Sequence, residues 1–139
     1  MNQILIDTNI VLDLLVRRMP FYNETAELFS LADRRIIRLA LSSLSLANTH
    51  YVLTKYKPET EARRIIRSFK VLVRVLSFDE KIADLALNSD FKDFEDAIQY
   101  FTAIENGQEI IITRNMSGYR DSQLPVMTAR EFIESLEIT

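Results

Sequence analysis

Short apolar runs alternate along this chain with longer segments in which apolar residues recur every three or four positions. Ile4-Leu5-Ile6, closed by Asp7, has the look of a buried strand. From Asn9 to Arg18, the residues Ile10, Val11, Leu14 and Leu15 line one helical face, and Met19-Pro20 interrupts it. A second helix is expected over Phe21 to Asp33, with Leu28, Phe29, Leu31 and Ala32 inward. Arg38 to Leu41 reads as a second strand, and Ser43 to Thr54 as a helix turning Leu44, Ala47 and Tyr51 to the core. Pro58 suits the first turn of a helix running to about Phe69, because its missing N–H would be unpaired there anyway. The β-branched stretch Val71 to Val75 predicts a third strand. Asp79 caps a helix over Glu80 to Leu87, and a further helix over Asp93 to Asn106 ends at Gly107, a natural left-handed stop. Glu109 to Ile112 is the fourth strand, and Val126, after Pro125, marks a short fifth. Thr128 and Glu131 have capping-box spacing for the last helix. Strands that alternate with helices and are almost wholly apolar predict an α/β fold. A central, mostly parallel sheet of about five strands is expected between two helical layers.

Composition narrows this picture. A chain of 139 residues is expected to form a single domain over 1–139, and with two glycines and three prolines it has little material for linkers. No cysteine occurs, which rules out disulfides and thiolate zinc sites. The start Met1-Asn2-Gln3-Ile4 lacks the basic and long apolar regions of a signal peptide, and no apolar run approaches the roughly 20 residues that span a bilayer. A soluble, cytoplasmic protein is expected. The net charge of −3 provides no global footprint for nucleic acid, so any RNA contact must come from a local patch.

In open parallel sheets, ligands bind beyond the carboxyl ends of the strands. Asp7 directly follows the first strand, and Thr113-Arg114-Asn115 directly follows the fourth. Asp93 and Asp96 open the helix leading into that fourth strand, and their i,i+3 spacing directs both to one helical face. Hard cations such as Mg²⁺ and Mn²⁺ prefer such oxygen ligands, typically a few carboxylates completed by water. Carboxylates gathered without a cation repel one another. A metal relieves that repulsion, and it assists attack on a phosphodiester. Each residue also has a plainer reading on its own. Asp7 can cap a helix, Asp93 and Asp96 can complement a helix dipole, and Asn115 can start a turn.

Taken together, Ile4-Leu5-Ile6-Asp7-Thr8-Asn9, Asp96-Ala97-Ile98-Gln99 and Ile111-Ile112-Thr113-Arg114-Asn115 resemble the PIN-domain family in identity, order and spacing, over essentially the whole chain. The resemblance implies an α/β/α sandwich and a metal-dependent endoribonuclease. Many small relatives are VapC-like toxins paired with an antitoxin. It further implies that Asp7 and Asp96 ligate Mg²⁺ or Mn²⁺, that Thr113 supports the site through its hydroxyl, and that Asn115 fills the fourth polar position. Two positions depart from the family pattern. Asn48 stands where a Glu is usual, and Gly118 stands where many relatives carry an Asp. Asp93 is a candidate to make up part of the missing charge, and Asn48 can offer an amide oxygen. The expected partners are an RNA substrate, an antitoxin and a second copy of the chain.

Two other classes compete. A PIN fold without catalytic power, gripping RNA or protein, is the alternative raised by Asn48 and Gly118. Phosphoryl transfer through an aspartyl-phosphate would suit Asp7. However, haloacid-dehalogenase-like enzymes need a second Asp at the place of Asn9, and a receiver-like domain needs an acidic pair and a late Lys that this chain lacks. His50, the sole histidine, lies two positions from Asn48 and so faces elsewhere on the helix. It is read as a surface or partly buried residue rather than a base. Arg34, Arg35 and Arg38 form one basic group and Arg63, Arg64 and Arg67 another. Both are read as solvated faces, the second with partners such as Glu59. Phe21, Tyr22, Phe29 and Tyr51 are read as core or interface residues.

Overall fold

A computed structural model describes residues 2–138. Its strands are β1 (Asn2–Ile6), β2 (Ile37–Ser42), β3 (Val73–Leu76), β4 (Ile110–Ile112) and β5 (Val126–Met127). They form one sheet in the order β3-β2-β1-β4-β5, and every pairing is parallel. The helices are α1 (Thr8–Leu15), α2 (Tyr22–Asp33), α3 (Ser43–Leu53), α4 (Glu59–Phe69), α5 (Glu80–Leu87), α6 (Phe94–Glu105) and α7 (Ala129–Ile138). The expected α/β class, parallel sheet and helical layers are therefore present. No helix among the described residues is long and apolar enough to cross a membrane.

The central strand explains the order. Ile4, Leu5 and Ile6 are fully buried because β1 is covered on both faces. Ile4 and Ile6 join Leu39, Leu41 and Ile112 under α1, α2 and α7, through Ile10, Val11, Leu28, Phe29 and Phe132. Leu5 and Ile111 point the other way, to Tyr100 and Ala103 of α6. Side-chain alternation along the strand thus builds two cores from one tripeptide.

Several predicted boundaries hold to within a residue or two, and the capping signals are realised. Asp79 accepts the Ile82 amide at 3.0 Å. Thr128 and Glu131 exchange the two bonds of a capping box, at 2.9 and 3.1 Å. Gly107 sits at φ 67° just past α6.

Two expectations fail. The run Val71 to Val75 does not begin as a strand: Lys70–Leu72 continues α4 as a 3₁₀ turn, Val71 is 85% exposed, and pairing starts at Val73 opposite Leu39. Helices often tighten in this way at their ends, and β-branched composition does not reveal where the ladder partner begins. On α3, Tyr51 is 63% exposed and Ala47 is also exposed, whereas Ser45, Thr49 and Leu53 are buried. Of this inward stripe, Ser45 faces polar groups of α1 and α6, whereas the Thr49 hydroxyl is buried without a hydrogen-bond partner.

Candidate active site

The chain leaves β1 at Asp7, whose amide still bonds the Ile112 carbonyl of β4 at 3.0 Å. That bond fixes the Asp7 side chain over the carboxyl edge of the sheet. Asp7 stands at the N-cap of α1, but only Oδ1 serves the helix, accepting from the Thr8 amide at 2.7 Å. Oδ2 reaches across instead, accepting from the Thr113 hydroxyl at 2.9 Å and the Tyr119 hydroxyl at 3.0 Å. Thr113 in turn accepts from the Asn115 amide at 3.0 Å and from Asn9 Nδ2 at 3.3 Å. Asn9 Oδ1 receives the Arg114 amide at 3.3 Å. The segment after β4 is therefore pinned to the start of α1 on three sides.

Asp96, in the first turn of α6, approaches from the other layer. Asn115 Nδ2 donates to Asp96 Oδ2 at 3.3 Å. Gly118 lies directly against this carboxylate. A Cβ built there would collide with Asp96 Oδ2 and lie 2.7 Å from Asn115 Nδ2. Any side chain at this position would force Asp96 or Asn115 to shift, so glycine and the placement of Asp96 go together. Asp7, Thr113, Asn115 and Asp96 thus converge from three elements.

Their electrostatics is that of unneutralised carboxylates. Asp96 is pushed from an ordinary value of 3.8 up to about 7, first by burial, then by the nearby charges of Asp7, Asp93 and Glu95. Burial, followed by the negative charge of Asp7, drives the Tyr119 hydroxyl upward as well, so it stays a donor to Asp7. Asp7 and Asp96 offer hard carboxylate oxygens, and the Coulomb strain on Asp96 is of the kind a cation relieves. The set therefore fits a small hard cation that keeps several waters. It is a lean set, for no group of three or more His, Cys, Asp or Glu gathers to hold a metal among the described residues.

Among the described residues, no hydrogen bond joins the remaining sequence candidates to Asp7, Thr113 or Asn115. Asp93 is the N-cap of α6, and its Oδ1 accepts the Asp96 amide at 3.0 Å. The carboxylate is thus turned onto its own helix while still adding negative charge near Asp96. Asn48 is half-buried on α3, one turn after Ser45. His50 Nε2 lies 2.6 Å from Glu59, and this contact, with help from Arg63, holds the Glu59 carboxyl below its usual range. His50 is partly buried, one of the two placements read from the sequence. Arg63 pairs with Glu59 at 3.1 Å.

Sequence reasoning missed Tyr119 and a polar bridge beneath the site. Ser45 Oγ is 2.7 Å from Thr8 Oγ1 and accepts from Gln99 Nε2 at 2.7 Å, tying α3 to α1 and α6. The run Ser42-Ser43-Leu44-Ser45 was the available signal, because a hydroxyl buried between elements needs a hydrogen-bond partner. Also unforeseen was Arg114, which forms a bidentate pair with the fully buried Asp13 at 2.7 and 3.0 Å while stacked 4.0 Å from the Phe21 ring.

Comparison with known proteins now decides the family. Residues 3–117 match the PIN domain, a span that includes every site residue named above except Gly118 and Tyr119. The chain belongs to the PIN-domain family. Among relatives of this PIN domain, ribonuclease VapC1 of Aquifex aeolicus (strain VF5) is 23% identical over 138 residues, covering 96% of this chain and 94% of that protein. Among solved structures, DNA-bound VapBC from Salmonella typhimurium superposes with a TM-score of 0.70 at 18% identity, covering 93% of this chain and 99% of that one. A toxin–antitoxin complex from Klebsiella pneumoniae gives 0.66 at 24% identity, with 90% and 96% covered. These similarities agree on the fold, and the PIN domain's acidic pocket lies at the strand ends where open parallel sheets bind their ligands.

Proposed function

We propose that this PIN domain is a metal-dependent endoribonuclease, the toxin of a toxin–antitoxin pair. The observation that carries the proposal is the opposition of Asp7 and Asp96 at the carboxyl edge of the sheet, close enough that the charge of one raises the pKa of the other. Asp7 and Asp96 would hold Mg²⁺ or Mn²⁺, with Asn115, Asn48 and Asp93 at the margin of the cation's water shell. When bound, the cation supplies a water of lowered pKa and offsets charge on the phosphoryl oxygen under attack.

The chain's own residues do the positioning. Thr113 and Tyr119 donate to Asp7 Oδ2 and fix its rotamer. Asn115 Nδ2 holds Asp96, and Gly118 leaves room for it. In the reaction, a P–O bond forms from water while the ester P–O bond breaks, and a proton ends on the leaving oxygen. That the VapC1 relative is a ribonuclease supports RNA as substrate. The Klebsiella pneumoniae complex supports an antitoxin partner. Cytoplasmic residence and a homodimer belong to the same proposal. A cleft of about 510 Å³ between α3 and α4, lined by Leu46, Ala47, His50 and Ile66 among others, offers a surface for either protein.

Asp7→Asn and Asp96→Asn are expected to lower Mg²⁺- or Mn²⁺-dependent RNA cleavage about 100-fold or more, the scale of losing a preorganised electrostatic contact. Cleavage at the parent rate by both variants sinks the assignment. One observation favours a second reading, a non-catalytic binding module: the acidic set is lean, with Asn48 on α3 and no carboxylate at Gly118. Calorimetric titration separates the two, since a nuclease of this kind takes up Mn²⁺ at the site and a bare binding module does not.

A further inference from the structure

Of the two arginine groups seen in the sequence, only the second has acidic partners, and there only Arg63 and Arg64, since no ion pair or hydrogen bond reaches Arg67 among the described residues. Arg63 and Arg64 lie along α4 beside carboxylates, 3.1 Å from Glu59 and 3.6 Å from Glu61. Arg114 and Arg130 likewise have acidic partners, Asp13 and Glu24. Arg35 and Arg38 behave otherwise. With Arg74, Ala32, Leu72 and Val73 they line a cleft of about 380 Å³. Among the described residues, no ion pair or hydrogen bond reaches any of these three guanidinium groups. A chain with 20 carboxylates places none of them against this cleft, although Asp33 is close in sequence.

The backbone holds this cluster together. Arg38 belongs to β2, and Arg74 on β3 is in register with Ala40. Side-chain alternation therefore puts Arg38 and Arg74 on the same face of the sheet, near its edge. Arg35 arrives from the end of α2. It occupies the left-handed position of a Schellman turn at φ 61°, where its amide bonds Ala32 and the next amide, that of Ile36, bonds Leu31, both at 3.0 Å. Glycine or asparagine fills that position at lower cost. The three guanidiniums line one cleft that no carboxylate lines, which leaves their charge available to an anion. Arginine forks are well shaped for phosphate oxygens.

We infer that this cleft is a second RNA-contact site, which grips the phosphodiester backbone outside the catalytic pocket; the inference rests on the ribonuclease reading for the identity of the polyanion. It lies at the amino ends of β2 and β3, whereas Asp7 and Thr113 follow the carboxyl ends of β1 and β4. The six residues of β2 separate the two rims by roughly 15–20 Å at about 3.3 Å per residue. An RNA long enough to touch both is held at two points, and one that fills only the pocket is not. The overall charge of −3 then ceases to argue against RNA binding, because the basic patch is local.

The test uses the variant Arg35→Asn, Arg38→Gln, Arg74→Gln. Asparagine is chosen at 35 because it tolerates the left-handed backbone. Binding of a long and a short single-stranded RNA is measured in EDTA over a salt series, so that cleavage plays no part. For the long RNA, the slope of log affinity against log salt is expected to fall by about 2, at about 0.7 per lost phosphate contact, with affinity down on the order of 10-fold. Short-RNA binding, metal-dependent short-RNA cleavage and the melting temperature stay at parent values. The control Arg63→Gln, Arg64→Gln leaves the slope unchanged. An unchanged slope in the triple variant overturns the site, as does equal loss on long and short RNA. If the parent fails to cleave short RNA while the slope still falls, the nuclease reading is lost and the binding site stands.

Discussion

At the scale of single residues, Asp96 carries the most informative consequence. Its folded-state pKa of about 7 lies above the ordinary 3.8, so between those values the folded chain holds a proton that the unfolded chain has released. The sign follows. The contribution of Asp96 is most favourable at low pH and is lost as pH rises from about 4 to about 7. In metal-free protein, Asp96→Asn is expected to remove this dependence and to raise stability at pH 8 by about 1–2 kcal/mol, after discounting 1.36 kcal/mol per pKa unit for the water that reaches the site. Denaturant melts of parent and variant at pH 5 and pH 8 check it, and parallel curves at both pH values refute it. Tyr119 shows the opposite balance. Tyr119→Phe keeps the buried ring but deletes the donor to Asp7 Oδ2. A loss of about 1 kcal/mol is expected, the usual net worth of such a bond. Cleavage should fall more than KM rises, because Asp7 loses its fixed rotamer rather than its charge.

At the scale of elements, the segment after β4 is the piece on which the site turns, and Arg114 is its anchor. Asp13 is fully buried on α1, and its two oxygens are taken by one guanidinium lying under Phe21. Breaking such a pair leaves a charge buried and unpaired. Arg114→Met and Asp13→Asn should each cost about 2–4 kcal/mol, and the double variant much less than the sum. A double-mutant cycle by urea unfolding measures this, and simple additivity would show that the pair is not coupled. The same segment shows what the sequence could and could not reveal. Asp7, Thr113 and Asn115 were legible because they end apolar runs that can only be buried strands. Tyr119 was not, because the 3₁₀ turn Met116–Tyr119 carries no periodicity that aims a side chain. On α3, the inward face was misread because its burial is satisfied by Ser45 bonding to Thr8 and Gln99 rather than by apolar contact. Val71 was misread as strand because composition says what fits a sheet and not where a neighbour begins.

At the scale of the whole molecule, a bound cation and the fold must report on each other. Anything that binds only the folded chain stabilises it by RT ln(1 + [L]/Kd), about 2.7 kcal/mol at 100 times Kd. The carboxylates that hold the ion are those whose mutual repulsion raises Asp96, so cation and proton compete for one place. Mn²⁺ should therefore raise the melting temperature more at pH 8 than at pH 5.5, where Asp96 is mostly protonated. The increase should vanish in Asp7→Asn and in Asp96→Asn. The variant Asn48→Glu should enlarge it, with about 10-fold tighter binding, since charge count among the ligands sets affinity for hard cations. Thermal melts with and without Mn²⁺ at the two pH values read all of this without any RNA. If the shift is the same at both pH values, or survives loss of either aspartate, the ion binds elsewhere and the convergence of Asp7 and Asp96 is structural only.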